Sequence, residues 1–447
     1  MFIVVRVCQA NSARTTLRRP SFTDATTISA HSLQLGSWSV EWLAWRLAGG
    51  GDCDSLLTEH DEGSCSIGVR APGGHGEFTT KVTRDGLAEV QTDFFANDSA
   101  YAMLFEDGLI ASNELWSVVA NVKPFKERPR QLRPQTRWTY NLQTRRAEEF
   151  QQPAPHASTR NHASLRTLLA ESVLSQVGTS RTAVVLLSGG IDSSAVAVAA
   201  RDALPPGRLH FLTAVFPHGY RAWEVEYART TARRLGIQHH ALQLRGDAFL
   251  PVGILASDGA RHPWLGWWFE VQRVAAGLGD LALSGASGQW FGCDPVRLLL
   301  SGVTARPSMT RVLDAIEVAP WRQFVRETLL LRRTMPVLPS RQLHLFPRGH
   351  GRTLENPFAG QGLRTVCPYS SPDVLARADS FFATGQNVDK LELRREFRQT
   401  LDRRVTTTPR RGSPPLPMIG LEQHDLCGLT WQDVVRESFQ KTQNKLS

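Results

Sequence analysis

A short loop carries the residues of this chain that are best suited to chemistry. It follows an apolar run, precedes small apolar residues, and consists of Leu187, Ser188, Gly189, Gly190, Ile191, Asp192, Ser193 and Ser194. Glycines let a backbone approach an anion closely, and a helix N-terminus supplies free N–H groups and positive potential. The loop therefore predicts a phosphate-binding site.

The acidic residue separates this loop from the lysine-containing phosphate loop. The motif G-x-x-x-x-G-K-[ST] needs a Lys directly before the hydroxyl residue, whereas Asp192 precedes Ser193 here. A carboxylate beside phosphates is explained most simply by Mg²⁺ that it shares with the phosphate oxygens. The alternative is an ordinary strand-turn-helix corner in which Asp192 caps the helix. We expect a metal site with Asp192 as its ligand.

The elements around the loop predict an α/β fold. Apolar runs near 182–187, 208–216, 239–244 and 280–284 alternate with helical patterns over 164–176, from 193, over 224–235 and over 267–276. This alternation indicates a parallel, doubly wound sheet that binds ligands outside the carboxyl ends of its strands. The pattern after Pro295 is helical and basic.

The part of the chain before residue 164 differs from the α/β part in its predicted secondary structure and composition. Residues 1–123 hold short β-like runs between Gly, Asp and Ser, which predict a β-rich domain. Residues 124–163 are rich in Pro, Arg and Gln and predict a linker. We therefore expect a β-rich domain over 1–123, a linker over 124–163, an α/β domain over 164–425 and a tail over 426–447.

Composition narrows the class of protein. The chain has 51 Lys and Arg against 42 Asp and Glu, a net charge of +9, but the basic residues are scattered. This favours solvated basic faces over an anionic partner, and we expect no nucleic acid to bind. The six cysteines form no C-x-x-C pair, and no run approaches the roughly 20 apolar residues that cross a bilayer. We expect a cytoplasmic protein with reduced thiols and no membrane partner.

The loop residues 188–193 resemble the SGGxDS loop of the PP-loop ATP pyrophosphatases. In that group the loop grips the β- and γ-phosphates of ATP while the α-phosphate is attacked, which gives an acyl-adenylate and pyrophosphate. The resemblance implies ATP and Mg²⁺ as cofactors.

Three further segments resemble asparagine synthetases. They are 213–240, with Glu224, Tyr227-Ala228 and His239-His240; 283–292, which is LSGASGQWFG; and 388–394, which contains Lys390. The resemblance implies that the segment from Thr213 to Phe216, with Val215 and Phe216 as its ATP-binding residues, contacts adenine. It also implies that Gly285 lies at AMP, and that Lys390, on a helix, stabilises charge on the adenylate and the pyrophosphate. The paired His alone would suggest a metal, but its place at the start of a strand favours packing.

The second segment departs from the family pattern. Its usual form, L-[ST]-G-x-G-[GS]-D-[EQ], contains an Asp that would be a second Mg²⁺ ligand, and LSGASGQWFG lacks this residue. Either Asp294 substitutes for it or the site is weakened.

The N-terminal part resembles the class II glutaminase domain around Ala111-Ser112-Asn113-Glu114. The nucleophile of that domain is an N-terminal Cys, whereas position 2 is Phe and Cys8 lies in an apolar run. The resemblance is therefore to a degenerate glutaminase domain, and the overall plan is similar to lasso-peptide cyclases. These adenylate an Asp or Glu side chain of a precursor peptide, so a precursor peptide, a leader peptidase and a leader-binding protein are the implied partners.

Two alternatives stay open. An asparagine synthetase or another small-molecule amide synthetase without glutaminase activity would also lack the Cys. The missing Asp of the second segment instead suggests a pseudoenzyme that binds nucleotide without turnover.

Overall fold

The structure is a computed structural model. It describes residues 2–10, 17–18, 25–47, 55–70, 77–95, 100–105, 108–113, 118, 121–122, 130–132, 136–152, 163–178, 182–216, 222–244, 266–286, 288–291, 363–383 and 390–407. The predicted basic region between Pro295 and residue 362, Asp294 and the tail over 426–447 lie outside these residues.

The N-terminal part consists of two six-stranded antiparallel sheets. Its strands are β1 (Phe2–Gln9), β2 (Ala25–Leu35), β3 (Trp38–Leu47), β4 (Ser55–His60), β5 (Ser64–Arg70), β6 (Glu77–Thr83), β7 (Leu87–Thr92), β8 (Tyr101–Phe105), β9 (Gly108–Ser112), β10 (Arg130–Gln131), β11 (Thr136–Asn141) and β12 (Arg146–Gln151). The first sheet has the order β10-β8-β9-β1-β3-β2, and the second has the order β12-β11-β7-β6-β5-β4.

The two sheets share one apolar core. It contains Val5 of β1, Phe78 of β6 and Trp138 of β11, all less than 3% exposed. Alternate residues of the first sheet point to its other face, where Trp45 and Ile110 join a second apolar cluster. The first sheet is therefore covered on both faces.

The predicted linker over 124–163 is corrected by three strands within it. β11 pairs with β7, β10 pairs with β8, and β12 pairs with β11, so all three belong to the N-terminal sheets. Trp138 and Tyr140 of β11 are buried in the shared core. The sheets therefore extend to residue 151.

The second part is built on a five-stranded parallel sheet, which confirms the predicted mixed α/β class with a parallel sheet. Its strands are β13 (Ala183–Leu186), β14 (Leu209–Val215), β15 (Gln238–Gln243), β16 (Leu281–Ser284) and β17 (Arg364–Val366). Its helices are α1 (Leu165–Val177), α2 (Ile191–Ala203), α3 (Ala222–Leu235), α4 (Gly266–Leu278), α5 (Pro372–Ala383), α6 (Leu391–Phe397) and α7 (Arg403–Thr407), with short 3-10 turns at Pro206–Arg208 and Gly288–Phe291.

Helices cover both faces of this sheet. One apolar cluster joins Val185 of β13 to α1, α2 and α3, and the cluster on the other face joins Val184 to Val271 of α4. The strand order is β15-β14-β13-β16-β17, so the order reverses between β13 and β16. Ligands of open parallel sheets bind outside the carboxyl ends of the strands at such a switch point. The loop after β13 lies there.

The described part of the chain contains no helix with the length and the apolar character to span a bilayer. Cys8, Cys65 and Cys367 are buried thiols, and none of them forms a disulfide with another described residue. Burial raises the pKa of the Cys65 thiol to about 11, so this thiol is protonated at neutral pH.

Candidate active site

The loop between β13 and α2 is shaped by Gly189. This residue has a φ of +82°, and a Cβ placed on it would lie 2.0 Å from the carbonyl oxygen of Glu224, in the first turn of α3. Only glycine fits both the left-handed conformation and this close approach. Gly190 then caps α2 without a side-chain hydrogen bond, so the predicted alternative in which Asp192 caps the helix does not apply.

Two serines hold the loop closed. The Ser193 hydroxyl accepts a hydrogen bond from the Ser188 backbone N–H (3.0 Å) and shares another with the Ser188 hydroxyl (2.9 Å). Ser188 is exposed, whereas Ser193 is buried. Ser194 is fully buried, and its hydroxyl has no hydrogen-bond partner among the described residues. Ser193 and Ser194 therefore sit below the loop surface, and Ser188 faces outward.

The side chains of Asp192 and Lys390 meet, although they are 198 positions apart in the sequence. The Lys390 ammonium donates a hydrogen bond to Asp192 Oδ2, and the two groups form an ion pair. Lys390 is 1% exposed, and the Asp192 side chain is 25% exposed. The other carboxylate oxygen, Oδ1, is buried without a hydrogen-bond partner among the described residues.

Lys390 precedes α6 and does not lie on it as predicted. It is the N-cap residue of this helix and has a left-handed backbone with a φ of 58°. That conformation is unfavourable for a residue with a Cβ and persists only where the surroundings hold it. Burial of the side chain against Asp192 is such a constraint.

The second predicted loop packs against the first. A Cβ on Gly285 would lie 2.7 Å from the backbone of Ser193, and one on Gly288 would lie 2.7 Å from the Asp192 carboxyl carbon. Glycine at both positions lets the loop after β16 lie directly on the start of α2. The loop brings backbone to Asp192 in place of a second carboxylate.

A metal could take one ligand from the described residues of this site. Among the residues that the structure describes, no group of three His, Cys, Asp or Glu side chains is arranged to hold an ion. The partnerless Oδ1 of Asp192 suits Mg²⁺, which takes one or two carboxylates and fills its other positions with phosphate oxygens and water.

The predicted adenine segment ends at the same edge of the sheet. Val215 and Phe216 are partly buried at the end of β14. The first residue of the predicted segment, Thr213, is buried, and its hydroxyl donates to the Leu187 carbonyl oxygen (2.6 Å) and lies 2.8 Å from His239 Nε2. Thr213 thus ties β14 to the residue that precedes Ser188 in the loop between β13 and α2.

The two adjacent histidines point to different partners. His239 contacts Thr213, while His240 Nε2 lies 3.2 Å from His210 Nδ1. The pKa of His239 is lowered by burial of the ring, by the positive charge of Arg229 and by the neighbouring His240. Its imidazole is therefore neutral at neutral pH. The pair is not one site, and both rings link neighbouring strands.

Sequence reasoning missed two residues that hold the site together. The Tyr369 hydroxyl, fully buried three residues after β17, donates a hydrogen bond to the Asp192 carbonyl oxygen (3.1 Å). Burial, together with nearby Asp192, raises the pKa of Tyr369 well above its ordinary value, so it remains a donor. Phe95, from the N-terminal part, stacks on Trp290 in the second loop. Both contacts join residues that are far apart in the sequence, so no local sequence pattern predicts them.

The N-terminal part offers no exposed thiol in β1. Cys8 is 5% exposed within this central strand. Ser112 and Asn113, from the predicted turn at 111–114, bond the backbone of Ile3 from either side, through its carbonyl oxygen (2.6 Å) and its N–H (2.9 Å). These polar residues fix β1 in its sheet.

Solved structures of three synthetases share limited similarity with the chain. A glutamine-dependent NAD+ synthetase from Acinetobacter baumannii, in complex with ADP, is 18% identical over 45% of this chain and 41% of that chain, with a TM-score of 0.24. An NH3-dependent NAD synthetase from Campylobacter jejuni subsp. jejuni NCTC 11168 is 17% identical over 40% of this chain and 90% of that chain, with a TM-score of 0.22. An NMN synthetase from Francisella tularensis is 13% identical over 63% and 94%, with a TM-score of 0.23.

The sequence itself has two informative matches. A curated 7-cyano-7-deazaguanine synthase from Paracoccus denitrificans (strain Pd 1222) is 34% identical over 92 residues, which cover 20% of this chain. The match spans 38% of that protein, less than half its length. Residues 164–257 match the asparagine synthase family. Residues 164–257 of the chain are therefore similar to asparagine synthases.

Proposed function

We propose that this protein is an ATP-dependent ligase that forms an amide bond by adenylating a carboxylate. The observation that carries the proposal is the meeting of Lys390 and Asp192 at the N-terminus of α2, beside the switch point of the parallel sheet. A cation, a carboxylate with a partnerless oxygen, and the free N–H groups of a helix start are the groups that a magnesium–triphosphate complex requires.

Each group has a role in this proposal. The backbone of Gly189 and Gly190, with the α2 N-terminus, binds the β- and γ-phosphates. Asp192 provides a carboxylate ligand for Mg²⁺, which would neutralise phosphate charge when bound. Lys390 moves its ammonium from Asp192 to the phosphate oxygens, where it stabilises charge on the leaving pyrophosphate.

The reaction then has two balanced steps. A carboxylate oxygen of the substrate bonds to the α-phosphorus, and the bond to pyrophosphate breaks. An amine next attacks the acyl carbon, AMP leaves, and the nitrogen loses one proton. A neutral amine needs no strong base for this attack.

We propose a precursor peptide as the substrate, with the carboxylate on an Asp or Glu side chain and the amine at the peptide N-terminus, so that the product is a macrolactam. The resemblance of the overall plan to lasso-peptide cyclases supports this choice, as does the burial of Cys8, which leaves β1 without an exposed thiol to release ammonia. A leader peptidase and a leader-binding protein would be its partners, in the cytoplasm.

A second candidate is a nucleotide-binding protein without turnover. It is favoured by Gly288, which places backbone against Asp192 where the family pattern has a second carboxylate nearby. This candidate predicts that Mg-ATP binds and is not cleaved.

Incubation of the protein with Mg-ATP and synthetic peptides that carry a free α-amine and an acidic side chain tests the proposal. We expect AMP, pyrophosphate and a peptide lighter by one water, measured by chromatography and mass spectrometry. Asn formation from Asp and ammonia would instead indicate a small-molecule synthetase, and Mg-ATP binding without AMP under every condition would indicate the second candidate.

Two variants connect the result to the site. Asp192→Glu keeps the charge but displaces the carboxylate by a methylene, and we expect AMP formation to fall about 100-fold or more, as for other groups that stabilise transition-state charge. Asp202→Asn, on the same helix, is the matched control, since Asp202 binds Arg166 (2.6 Å). Equal activity of both variants would contradict the role of Asp192.

A further inference from the structure

We infer that Phe95 of the N-terminal sheets is a positioning residue for the nucleotide site, and that it acts through Trp290. The inference rests on the proposed ATP site at Asp192. It assigns the N-terminal part a role in holding the second loop, separate from any role in releasing ammonia.

Phe95 reaches the second loop from the end of β7. Its ring lies 6.0 Å from the Trp290 ring, centroid to centroid, with 28° between the planes. Phe95 is 9% exposed and Trp290 3% exposed, so the pair is buried. The Phe95 backbone N–H donates to Asp93 Oδ1 (3.1 Å), and the Asp93 N–H donates to the Glu77 carbonyl oxygen (2.8 Å). These bonds anchor the ring to β6.

The other side of the same loop is held by residues from the C-terminal helices. Phe291, next to Trp290, lies 6.1 Å from the ring of Tyr369 and 6.4 Å from that of Phe381. Tyr369 in turn bonds the Asp192 carbonyl oxygen. The turn Gly288–Phe291 is therefore gripped by aromatic rings from both parts of the molecule.

These aromatic contacts are important for the site because the turn Gly288–Phe291 has no acidic side chain that could bind a metal. Gly288 begins the turn and lies directly against the Asp192 carboxylate. The turn therefore acts through the position of its backbone, and that position depends on where Trp290 and Phe291 pack. Loss of the Phe95 ring frees one side of Trp290 and lets Gly288 shift away from Asp192.

The test compares Mg-ATP binding to full-length variants by isothermal titration calorimetry. Phe95→Leu removes the ring and retains apolar volume, and Phe78→Leu is the matched control, since Phe78 is fully buried in the N-terminal core. An aromatic pair of this kind predicts a dissociation constant for Mg-ATP raised about 2- to 10-fold in Phe95→Leu. Phe78→Leu should bind as the parent does.

Two further variants, Trp290→Leu and the double variant Phe95→Leu/Trp290→Leu, separate positioning of the loop from a general loosening of the protein. In a Trp290→Leu background, Phe95→Leu should produce no further loss of affinity, because the contact is already gone. Unchanged affinity in Phe95→Leu, an equal loss in Phe78→Leu, or an additive loss in the double variant would each overturn the inference. A parent protein that binds no Mg-ATP would overturn the proposed function itself, and the inference with it.

Discussion

The carboxylate of Asp192 has two unlike oxygens. Oδ2 is bound by the Lys390 ammonium, whereas Oδ1 is buried without a hydrogen-bond partner among the described residues. An unsatisfied buried oxygen costs free energy, and the neighbouring cation offsets only part of that cost. The residue is therefore placed to gain from a second cation, which is the physical basis for its assignment as a metal ligand.

Removal of one charge of the Asp192–Lys390 ion pair should lower the free energy of unfolding more than removal of both charges. Lys390→Met keeps the volume but leaves the Asp192 carboxylate without its cation, so we expect the free energy of unfolding to fall by on the order of 2 kcal/mol. This is below the roughly 3–5 kcal/mol of a fully buried pair, because Asp192 is 25% exposed. The double variant Asp192→Asn/Lys390→Met should recover most of the loss. Urea denaturation of the nucleotide-free proteins measures both, and a double variant no more stable than the single one would contradict the argument.

The residues of the site were only partly predictable. The sequence places the glycines and Asp192 at the start of a helix after a buried strand, and the structure has them there. Phosphate binding by this loop stays a prediction, based on the affinity of helix N-termini for anions. Lys390 followed from a resemblance, and its left-handed position before α6 did not. Tyr369 and Phe95 act through contacts between distant parts of the chain, which no local pattern records.

At the scale of elements, the start of α2 is clamped by its neighbours. Gly189 touches the first turn of α3, and Gly285, after β16, touches Ser193. The loop between β13 and α2 is thus enclosed by backbone on two sides, which fixes the direction of its N–H groups.

Two adjacent glycines provide a matched test of this clamp. Gly189→Ala places a Cβ 2.0 Å from the Glu224 carbonyl oxygen at a φ of +82°, so we expect a loss of about 2 kcal/mol or more in stability. In Gly190→Ala the Cβ would meet only the Ser188 hydroxyl, at 3.5 Å, and the melting temperature should stay close to that of the parent. Differential scanning calorimetry compares the two, and equal melting temperatures would show that the loop is not clamped.

The helices around this loop were largely predictable from the sequence, whereas the short or fully exposed edge strands β17 and β12 were not. The predicted bounds of α1, α3 and α4 differ from the structure by at most two residues. For α3 and α4 the reason is a strong amphipathic pattern, which α1 lacks. β17 escaped prediction because it has only three residues. β12, RAEEFQ, has every side chain exposed, so it shows no apolar alternation.

For the whole molecule, the corrected boundary changes which segment can fold by itself. β11 lies between β7 and β12 in the second sheet, and Trp138 and Tyr140 fill the core between the two sheets. A chain that ends at the predicted boundary of 123 lacks this strand and leaves the edge of β7 unpaired.

We expect a fragment of residues 1–152 to fold and a fragment of residues 1–123 not to fold. Loss of two large buried aromatic side chains removes about 3–5 kcal/mol each, which is comparable to the total stability of a small domain. Far-ultraviolet circular dichroism with thermal melting is the measurement. A cooperative melt of the shorter fragment would show that the N-terminal domain ends at residue 123, as the sequence predicts.

β17 also has a consequence for how the protein is made. It pairs with β16, from which it is separated by about eighty residues, and Lys390 lies further on. At the usual pace of about 5–20 residues per second, a ribosome takes about 4–16 s to synthesise that interval. Until then the nascent chain displays the open edge of β16, and Asp192 has no ammonium beside it until synthesis has also passed Lys390, which follows β17. The Asp192–Lys390 pair is therefore among the last features to be completed during translation, and a ribosome that stalls before residue 390 leaves a chain with Asp192 but without the ammonium that binds it.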